Sequence, residues 1–184
     1  MTTARDTIFS GDFGEVAQFY SELRRRLYKR ASQKFSPFIA TPISYRDCIQ
    51  ADSWAQEEPK RRNDWHWTAE HSGYQKAFKR FDIAFKQGQK LVSLSYGMPT
   101  AHSSGLKINL IESTPFKDDK LGFKGFELIS YAAQVYAAML GADEIRIMRP
   151  TSIKTRSYYE AQGYHYVSQA HKPSLPDYCV LKLR

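Results

Sequence analysis

One stretch, residues 106–141, constrains the fold of this chain more than any other. Leu106 to Thr114 is largely apolar and ends before a proline, which predicts a β-strand. From Phe126 onward, apolar residues recur at helical spacing as far as Gly141, a residue type that favours the end of a helix. The stretch therefore predicts a strand, a connecting loop and a helix in succession.

The loop between this strand and this helix has the features of an anion-binding site. It contains Gly122 and Gly125, which allow backbone to approach a phosphate closely, and the lysines Lys117, Lys120 and Lys124. The first N–H groups of a helix have no partner inside it, and the helix dipole adds about half a positive charge there. A glycine loop before a helix is also a common simple turn, so the pattern alone leaves both interpretations open.

Composition limits the remaining classes of protein. A chain of 184 residues predicts one domain, residues 1–184, with a sizeable core. It has no apolar run of about 18 residues and no apolar N-terminal signal segment, so we expect no membrane span and a cytoplasmic location. Cys48 and Cys179 form neither a disulfide framework nor a metal-ligand spacing, and no histidine pair has i,i+4 spacing. We therefore expect no metal.

The chain is basic, with a net charge of +8. Two clusters carry much of this charge, namely Arg24, Arg25, Arg26, Lys29 and Arg30, and then Lys60, Arg61 and Arg62. Such clusters are either solvated faces or surfaces for RNA or an acidic partner, and the sequence leaves both open. The possibility of a homodimer is also left open.

Residues 1–78 are predicted to be mainly helical. Asp12 with Glu15 resembles a capping box at the start of a helix that runs to about Lys34. A second helix is predicted from Tyr45 to about Gln56. Trp65 and Trp67 would point to the same side of an extended chain, where they line a cleft or cap the edge of the core.

Residues 79–184 predict a mixed sheet. Alternation at Phe81–Phe85 and an apolar run at Leu91–Tyr96 form a hairpin, and the strand at Leu106 extends it to an antiparallel meander. The helix that follows leads to a strand at Glu144–Met148, which gives a βαβ unit with a parallel pair. A short helix at Ser152–Gln162 and strands at Tyr164–Val167 and Tyr178–Leu183 complete the α/β (α+β) pattern.

Within this order of elements, the segment Tyr159-Glu160-Ala161-Gln162-Gly163-Tyr164 resembles the Tyr-x-x-x-Gly-Phe/Tyr signature of the GNAT-superfamily N-acetyltransferases. The resemblance covers about residues 79–184. It implies a GNAT-like mixed sheet with acetyl-CoA, or another acyl-CoA, as cofactor. Residues 79–184 would then form the acyl-CoA-binding core, with the N-terminal helices of residues 1–78 packed alongside as the acceptor side.

The family places the pyrophosphate of CoA on a Gln/Arg-x-x-Gly-x-Gly/Ala loop after its fourth strand. In this chain Lys120 takes the first place and Gly125 the last, but the middle glycine is displaced to Gly122. The family's asparagine after the fifth strand is replaced by Arg149 and Pro150. The cofactor-binding residues that the resemblance implies are Ser113, Thr114, Lys120, Leu121, Gly122, Phe123, Lys124 and Gly125.

A carboxylate at the end of the central strand is the expected general base. An alkylamine, with a pKa of about 10, must lose a proton before it attacks a thioester. Glu112 aligns with a position where many family members carry a base, and the adjacent apolar run would raise its pKa. A carboxylate facing water or pairing with a lysine is the alternative. A backbone N–H near Ser113 or Thr114 is the expected donor to the oxyanion.

Tyr159 is the residue that the family scheme makes the proton donor to the departing thiolate. Tyr158 is a close rival, and a core tyrosine is the alternative for both. The acceptor is expected to be a small amine, a protein amine or an aminoacyl-tRNA, the last using the basic clusters. Two other classes remain open: a binding protein on the same fold without chemistry, and a protein that modifies nucleic acids.

Overall fold

Seven strands form one mixed sheet in the computed structural model, which describes residues 12–57, 65–116, 125–172 and 174–183. In chain order the strands are β1 (Ile39–Thr41), β2 (Phe81–Gln87), β3 (Lys90–Pro99), β4 (Gly105–Ser113), β5 (Glu144–Met148), β6 (His165–Val167) and β7 (Tyr178–Lys182). Their order across the sheet is β1-β2-β3-β4-β5-β7-β6. Among these seven strands, the parallel pair is β4 with β5, as the sequence predicted.

Helices cover both faces of this sheet. They are α1 (Phe13–Lys34), α2 (Tyr45–Glu57), α3 (Trp67–Lys76), α4 (Gly125–Leu140) and α5 (Ile153–Glu160). On one face, α1 and α4 pack against Ile83 and Phe85 of β2. On the other, α2 and α3 pack against Ala84 of the same strand. Because successive residues of a strand point to opposite faces, the two clusters form two core layers with the sheet between them.

Most elements match the sequence pattern because local signals determine them. Asp12 is the N-cap of α1, and its side chain accepts a hydrogen bond of 2.9 Å from the amide of Glu15, which confirms the predicted start. α4 ends at Leu140, and Gly141 follows with a φ of +77°, a conformation that glycine adopts without steric cost. The predicted meander and the βαβ unit are both present.

The sequence analysis did not predict two elements that the structure contains, the strand β1 and the helix α3. β1 consists of only three residues and pairs with β2, so the N-terminal part contributes a strand as well as helices. The expectation that Trp67 lies on extended chain is wrong, because it is the first residue of α3. It is fully buried, whereas Trp65 is half-buried. The N-cap residue His66 makes no side-chain capping bond; Asp52 of α2 instead accepts from the amides of Trp67 and Thr68, at 2.7 and 3.1 Å.

A β-bulge in β4 decides which face the end of that strand presents. Tyr96 of β3 pairs with Leu110 and Gly97 pairs with Ile108, so Asn109 is the extra residue. Side chains alternate along a strand, and one extra residue reverses the alternation. Consequently Ile108 faces the layer of α1 and α4, whereas Leu110 faces the layer of α2 and α3.

The parallel pair opens at one end. β4 and β5 pair from Gly105–Ile108 to Glu144–Ile147, and β4 then continues through Ser113 with no β5 partner. The last residue of β5, Met148, pairs with Tyr178 of β7 instead. Beyond Ile108, therefore, the edge of β4 that faces β5 borders a gap in the ladder.

Candidate functional site

The N-terminus of α4 lies directly against the end of β4. A Cβ atom added to Gly125 would lie 2.1 Å from Ser113 Oγ, 2.5 Å from Ser113 Cβ and 3.2 Å from Ser93 Cβ. Only glycine therefore allows this approach without displacing the strand or the helix. The first N–H groups of α4 therefore lie next to the end of β4, and the helix dipole favours an anion there.

A buried hydroxyl lies at the same place. Ser93 of β3 is fully buried, and within the described parts of the chain its Oγ has no hydrogen-bond partner. Buried hydroxyls are normally hydrogen-bonded, so this oxygen adds a polar group near the start of α4. Five of the predicted phosphate-binding residues, Lys120, Leu121, Gly122, Phe123 and Lys124, lie outside the described residues. Of the predicted residues in this loop, Gly125 is the one with a described position.

Glu112 lies on the opposite face of β4 from α4. It is only 6% exposed, so the alternative of a carboxylate facing water does not apply. Its Oε2 accepts a hydrogen bond of 2.6 Å from the indole N–H of Trp67, which begins α3. Leu94 of β3 is the residue paired with Glu112 in the sheet. The bulge at Asn109 accounts for this orientation, because in a regular strand Glu112 would share the face of Ile108.

The direction of the backbone amides at the end of β4 separates the two candidate oxyanion donors. The N–H of Thr114 donates to Val92 O of β3, at 2.8 Å. Because alternate residues of a strand direct their N–H groups to opposite edges, the Ser113 amide points away from β3, toward the gap. Of the two positions that the sequence offered as the oxyanion donor, Ser113 is the one aimed at the gap.

The two candidate tyrosines flank the start of α4. The ring centroids of Tyr159 and Phe126 are 5.1 Å apart, and those of Tyr158 and Phe126 are 5.4 Å apart. Tyr159 is buried and Tyr158 is half-buried. Phe126 follows Gly125, so α5 brings both phenol rings next to the helix terminus that contacts β4. The structure thus brings Ser113, Gly125 and the tyrosines of α5 to one end of the sheet.

An aromatic and polar layer beneath α3 was missing from the sequence interpretation. The rings of Tyr74 and Tyr96 stack with centroids 4.3 Å apart, and the Tyr74 hydroxyl accepts a hydrogen bond of 3.0 Å from Asn109 Nδ2. The Tyr96 hydroxyl lies 2.8 Å from Nδ1 of His71. Trp67, His71 and Tyr74 have the spacing of one helical face, but this face is not uniformly apolar. The usual signal for a buried helix face was therefore weak.

Solved acetyltransferase structures share this arrangement of elements. The chain is similar to an acetyltransferase from Thermus thermophilus, with a TM-score of 0.59, 14% identity, and 81% of this chain and 99% of that one covered. The fold is that of the GNAT N-acetyltransferases. An aminoglycoside 6'-N-acetyltransferase complexed with coenzyme A matches at a TM-score of 0.54 and 14% identity, with 79% and 97% covered. The ribosomal-protein-S18-alanine N-acetyltransferase from Escherichia coli matches at 0.52 and 11%, with 78% and 90% covered.

These identities are low, so the likeness establishes the GNAT fold. No protein-family model and no curated protein matches the sequence. Two local observations bear on whether this chain fits the diphosphate of an acyl-CoA. A Cβ at Gly125 would obstruct the contact between α4 and β4, and the Ser93 hydroxyl lacks a described partner near that contact. Both fit an anion held at the start of α4.

Both cysteine thiols of this chain are buried in the fold and stay protonated at neutral pH. Burial raises the pKa of Cys48 to about 12 and that of Cys179 to about 11, so neither is a thiolate nucleophile at neutral pH. Across the residues with described positions, no group of three or more histidine, cysteine, aspartate or glutamate side chains could hold a metal ion. The helices in those parts of the chain are too short or too polar to cross a membrane.

The first basic cluster divides into buried and exposed residues. Arg24 is largely buried, donates to Phe78 O at 2.7 Å and lies 3.8 Å from the carboxylate of Asp82. Arg25 and Arg26 both pair with Glu22 on the surface. Lys29 and Arg30 are exposed on the same helix. Lys60, Arg61 and Arg62 lie outside the described residues, and the use of these clusters by a partner stays a prediction.

Proposed function

We propose that this protein transfers an acyl group, as acetyl, from acetyl-CoA to a primary amine. The observation that carries the proposal is the end of β4. There the start of α4 meets one face of the strand, and the buried Glu112 occupies the other. A helix terminus that can hold an anion and a buried carboxylate thus lie on the two faces of the same strand, at the end where that strand has no β5 partner. That is the arrangement a thioester donor and an amine acceptor require.

The N-terminus of α4 would hold the diphosphate of acetyl-CoA. The helix dipole and the first amides of α4 provide partial positive charge. The segment that precedes α4 in the sequence contains two lysines, Lys120 and Lys124, which we propose as further contacts to the diphosphate. Gly125 lets these amides lie close to the end of β4, so a donor held there would lie near the unpaired part of that strand. When bound, acetyl-CoA supplies the activated acyl group, and the chain's task is to position it.

Glu112 would take the proton from the acceptor amine, directly or through water. A carboxylate with little exposure and few water molecules around it is a stronger base than one in solution, because burial disfavours the charged form. The hydrogen bond from Trp67 acts in the opposite direction and stabilises the anion. The deprotonated amine then attacks the thioester carbonyl, which forms the C–N bond.

The Ser113 amide would stabilise the oxyanion, and Tyr159 would protonate the leaving thiolate. The amide is fixed in the strand, so it needs no reorganisation as charge develops on the carbonyl oxygen. When the C–S bond breaks, the Tyr159 hydroxyl would protonate the sulfur of CoA, and the second proton on the attacking nitrogen would return to the Tyr159 oxygen through water. Glu112 would release the first proton to solvent, so that an ammonium group and acetyl-CoA give an amide, free CoA and one proton.

Release of free CoA, measured over a panel of small amines, peptides and aminoacyl-tRNA, tests the activity and identifies the acceptor. Glu112→Gln should lower kcat by about a hundredfold or more with little change in acetyl-CoA affinity, because it removes the base. Glu160→Gln, an exposed carboxylate on α5, is the matched control and should leave kcat unchanged. Equal kcat in the Glu112→Gln variant and the wild type would contradict the role of Glu112.

Tyr159→Phe should also lower kcat, and Tyr158→Phe should have a smaller effect. The reverse ranking would assign the proton donor to Tyr158. Calorimetry with acetyl-CoA tests the first step separately: no binding at high micromolar ligand would contradict the proposed function. Binding without turnover on any amine would instead favour a non-catalytic binding protein.

A further inference from the structure

A side chain of α3, which belongs to the proposed acceptor side, donates a hydrogen bond to Glu112. Trp67 is fully buried, and its N–H donates to Glu112 Oε2 over 2.6 Å. Its own backbone is fixed from α2, because its amide donates to Asp52 Oδ1 over 2.7 Å. An indole N–H has no acceptor capacity, so it can form this bond only as donor to the carboxylate.

We propose that Trp67 is a positioning residue, whose indole N–H holds the Glu112 carboxylate in place and in its ionised form for reaction with the acceptor amine. The inference rests on the proposed function, in which Glu112 is the base. A carboxylate that is 6% exposed loses most of its water, and a protonated carboxyl could not accept an amine proton. A charge-assisted hydrogen bond stabilises the anion without removing its basicity entirely.

Several ionisable groups in the described part of this face are engaged with other partners. They include Asp52 and Cys48 of α2, His71 and Tyr74 of α3, and Tyr96 of β3. Asp52 accepts from the amides of Trp67 and Thr68. His71 lies 2.8 Å from the Tyr96 hydroxyl and 3.5 Å from Cys48 Sγ. Burial raises the pKa values of Cys48, Tyr74 and Tyr96, so these three groups stay neutral at pH 7.

The direction of the effect follows from these contacts. A hydrogen bond to the charged form lowers a carboxyl pKa, so removing the bond raises it. For a hydrogen bond to a charged group, the resulting change in pKa is on the order of one to two units. Trp67→Phe keeps an aromatic ring and removes the N–H. The acidic limb of the kcat/KM profile should therefore move upward by about that amount, and activity should recover at higher pH.

The experiment compares Trp67→Phe with two controls. Trp54→Phe changes an equally buried indole in the same cluster, on α2 instead of α3, and it should leave the acidic limb in place. His71→Asn tests the histidine on the same face of α3, and it should leave the position of the limb unchanged. The proposal would be overturned if the acidic limb moved equally in Trp67→Phe and Trp54→Phe. It would also be overturned if the limb stayed in place in Trp67→Phe and moved only in His71→Asn.

A second measurement does not depend on activity or on a Trp67 variant. In the wild-type protein, the indole N–H resonance of Trp67 should shift with pH as Glu112 titrates, and the shift should vanish in Glu112→Gln. A pH-independent resonance in the wild type would overturn the proposal even if the enzyme is active. A titrating resonance in a protein that releases no CoA would leave the contact intact and contradict the proposed function alone.

Discussion

Gly125 offers a direct test of how closely α4 must approach β4. We predict that Gly125→Ala destabilises the protein, although alanine is the better helix former. The added Cβ would lie 2.5 Å from Ser113 Cβ, a distance that real Cβ atoms do not show. The Ser113 hydroxyl can rotate away, but its Cβ is fixed to the strand. The helix or the strand must therefore move.

The magnitude follows from two opposing effects. Forcing an extra methyl into a packed position typically costs about 1–3 kcal/mol. Replacing glycine by alanine in a helix returns at most about 0.5–1 kcal/mol, and less at the first residue. We expect a net loss of about 1–2 kcal/mol, which for a chain of this size lowers Tm by about 2–8 °C.

Thermal and urea unfolding of four proteins measure this effect: wild type, Gly125→Ala, Ser113→Gly and the double variant. Removing the Ser113 side chain leaves Ser93 Cβ, at 3.2 Å, as the nearest remaining atom of the three. The double variant should therefore recover about 1–2 kcal/mol relative to the sum of the single changes. The control is Gly73→Ala in α3, where an added Cβ meets nothing within 4 Å and should stabilise the helix.

Two results would refute the reasoning about Gly125. One is a Gly125→Ala variant as stable as the wild type. The other is a destabilised Gly125→Ala variant that Ser113→Gly does not rescue at all. Calorimetry with acetyl-CoA on the same proteins adds a functional measurement, since a displaced helix start should weaken donor binding in Gly125→Ala and regain it in the double variant.

Three further predictions concern charged groups. Asp82 is fully buried and lies 3.3 Å from the guanidinium of Arg80, so Asp82→Asn should cost about 3–5 kcal/mol in urea unfolding. A loss as small as that of Glu22→Gln, at a half-buried carboxylate on the surface of α1, would contradict a buried ion pair. Burial pushes the pKa of Glu144 up, but hydrogen bonds from Lys182 and Arg146 outweigh it and lower that pKa. Its stabilising effect is therefore present above the ordinary carboxyl pKa of about 4.3 and lost as pH falls below it, so Glu144→Gln should flatten the acid limb of stability against pH. If RNA binds the exposed face of α1, Lys29→Glu with Arg30→Glu should reduce the salt slope of binding by about 1.4, and an unchanged slope would contradict that surface.

Local sequence signals were sufficient for most of the fold. The capping pair at Asp12 and the alternation in the hairpin depend on residues close together in the chain, so their patterns predicted α1 and the meander. α3 escaped prediction because its amides at Trp67 and Thr68 are capped by Asp52, fifteen and sixteen residues earlier. A capping partner at that distance has no fixed spacing that a sequence pattern could reveal.

The sequence could propose residues for the candidate site but not their geometry. Glu112 and Tyr159 could be proposed from their places in the strand and the signature. The face that Glu112 occupies depends on the bulge at Asn109, and nothing in an apolar strand pattern marks where one extra residue interrupts the pairing. The donor from Trp67 depends on that face and on the unpredicted α3. The sequence therefore proposed a base without the contact that orients it.

Because Asp52 of α2 caps the start of α3, the position of α3 depends little on the residues that immediately precede it. The amides of Trp67 and Thr68 donate to this side chain of a neighbouring helix. The side chain of His66, the residue before α3, makes no capping bond, and its backbone oxygen accepts only from amides further along the helix. Changes in the residues leading into α3, including insertions, would leave the bonds to Asp52 intact as long as α2 stays in place. Variation in the sequence before α3 is therefore compatible with Trp67 staying hydrogen-bonded to Glu112.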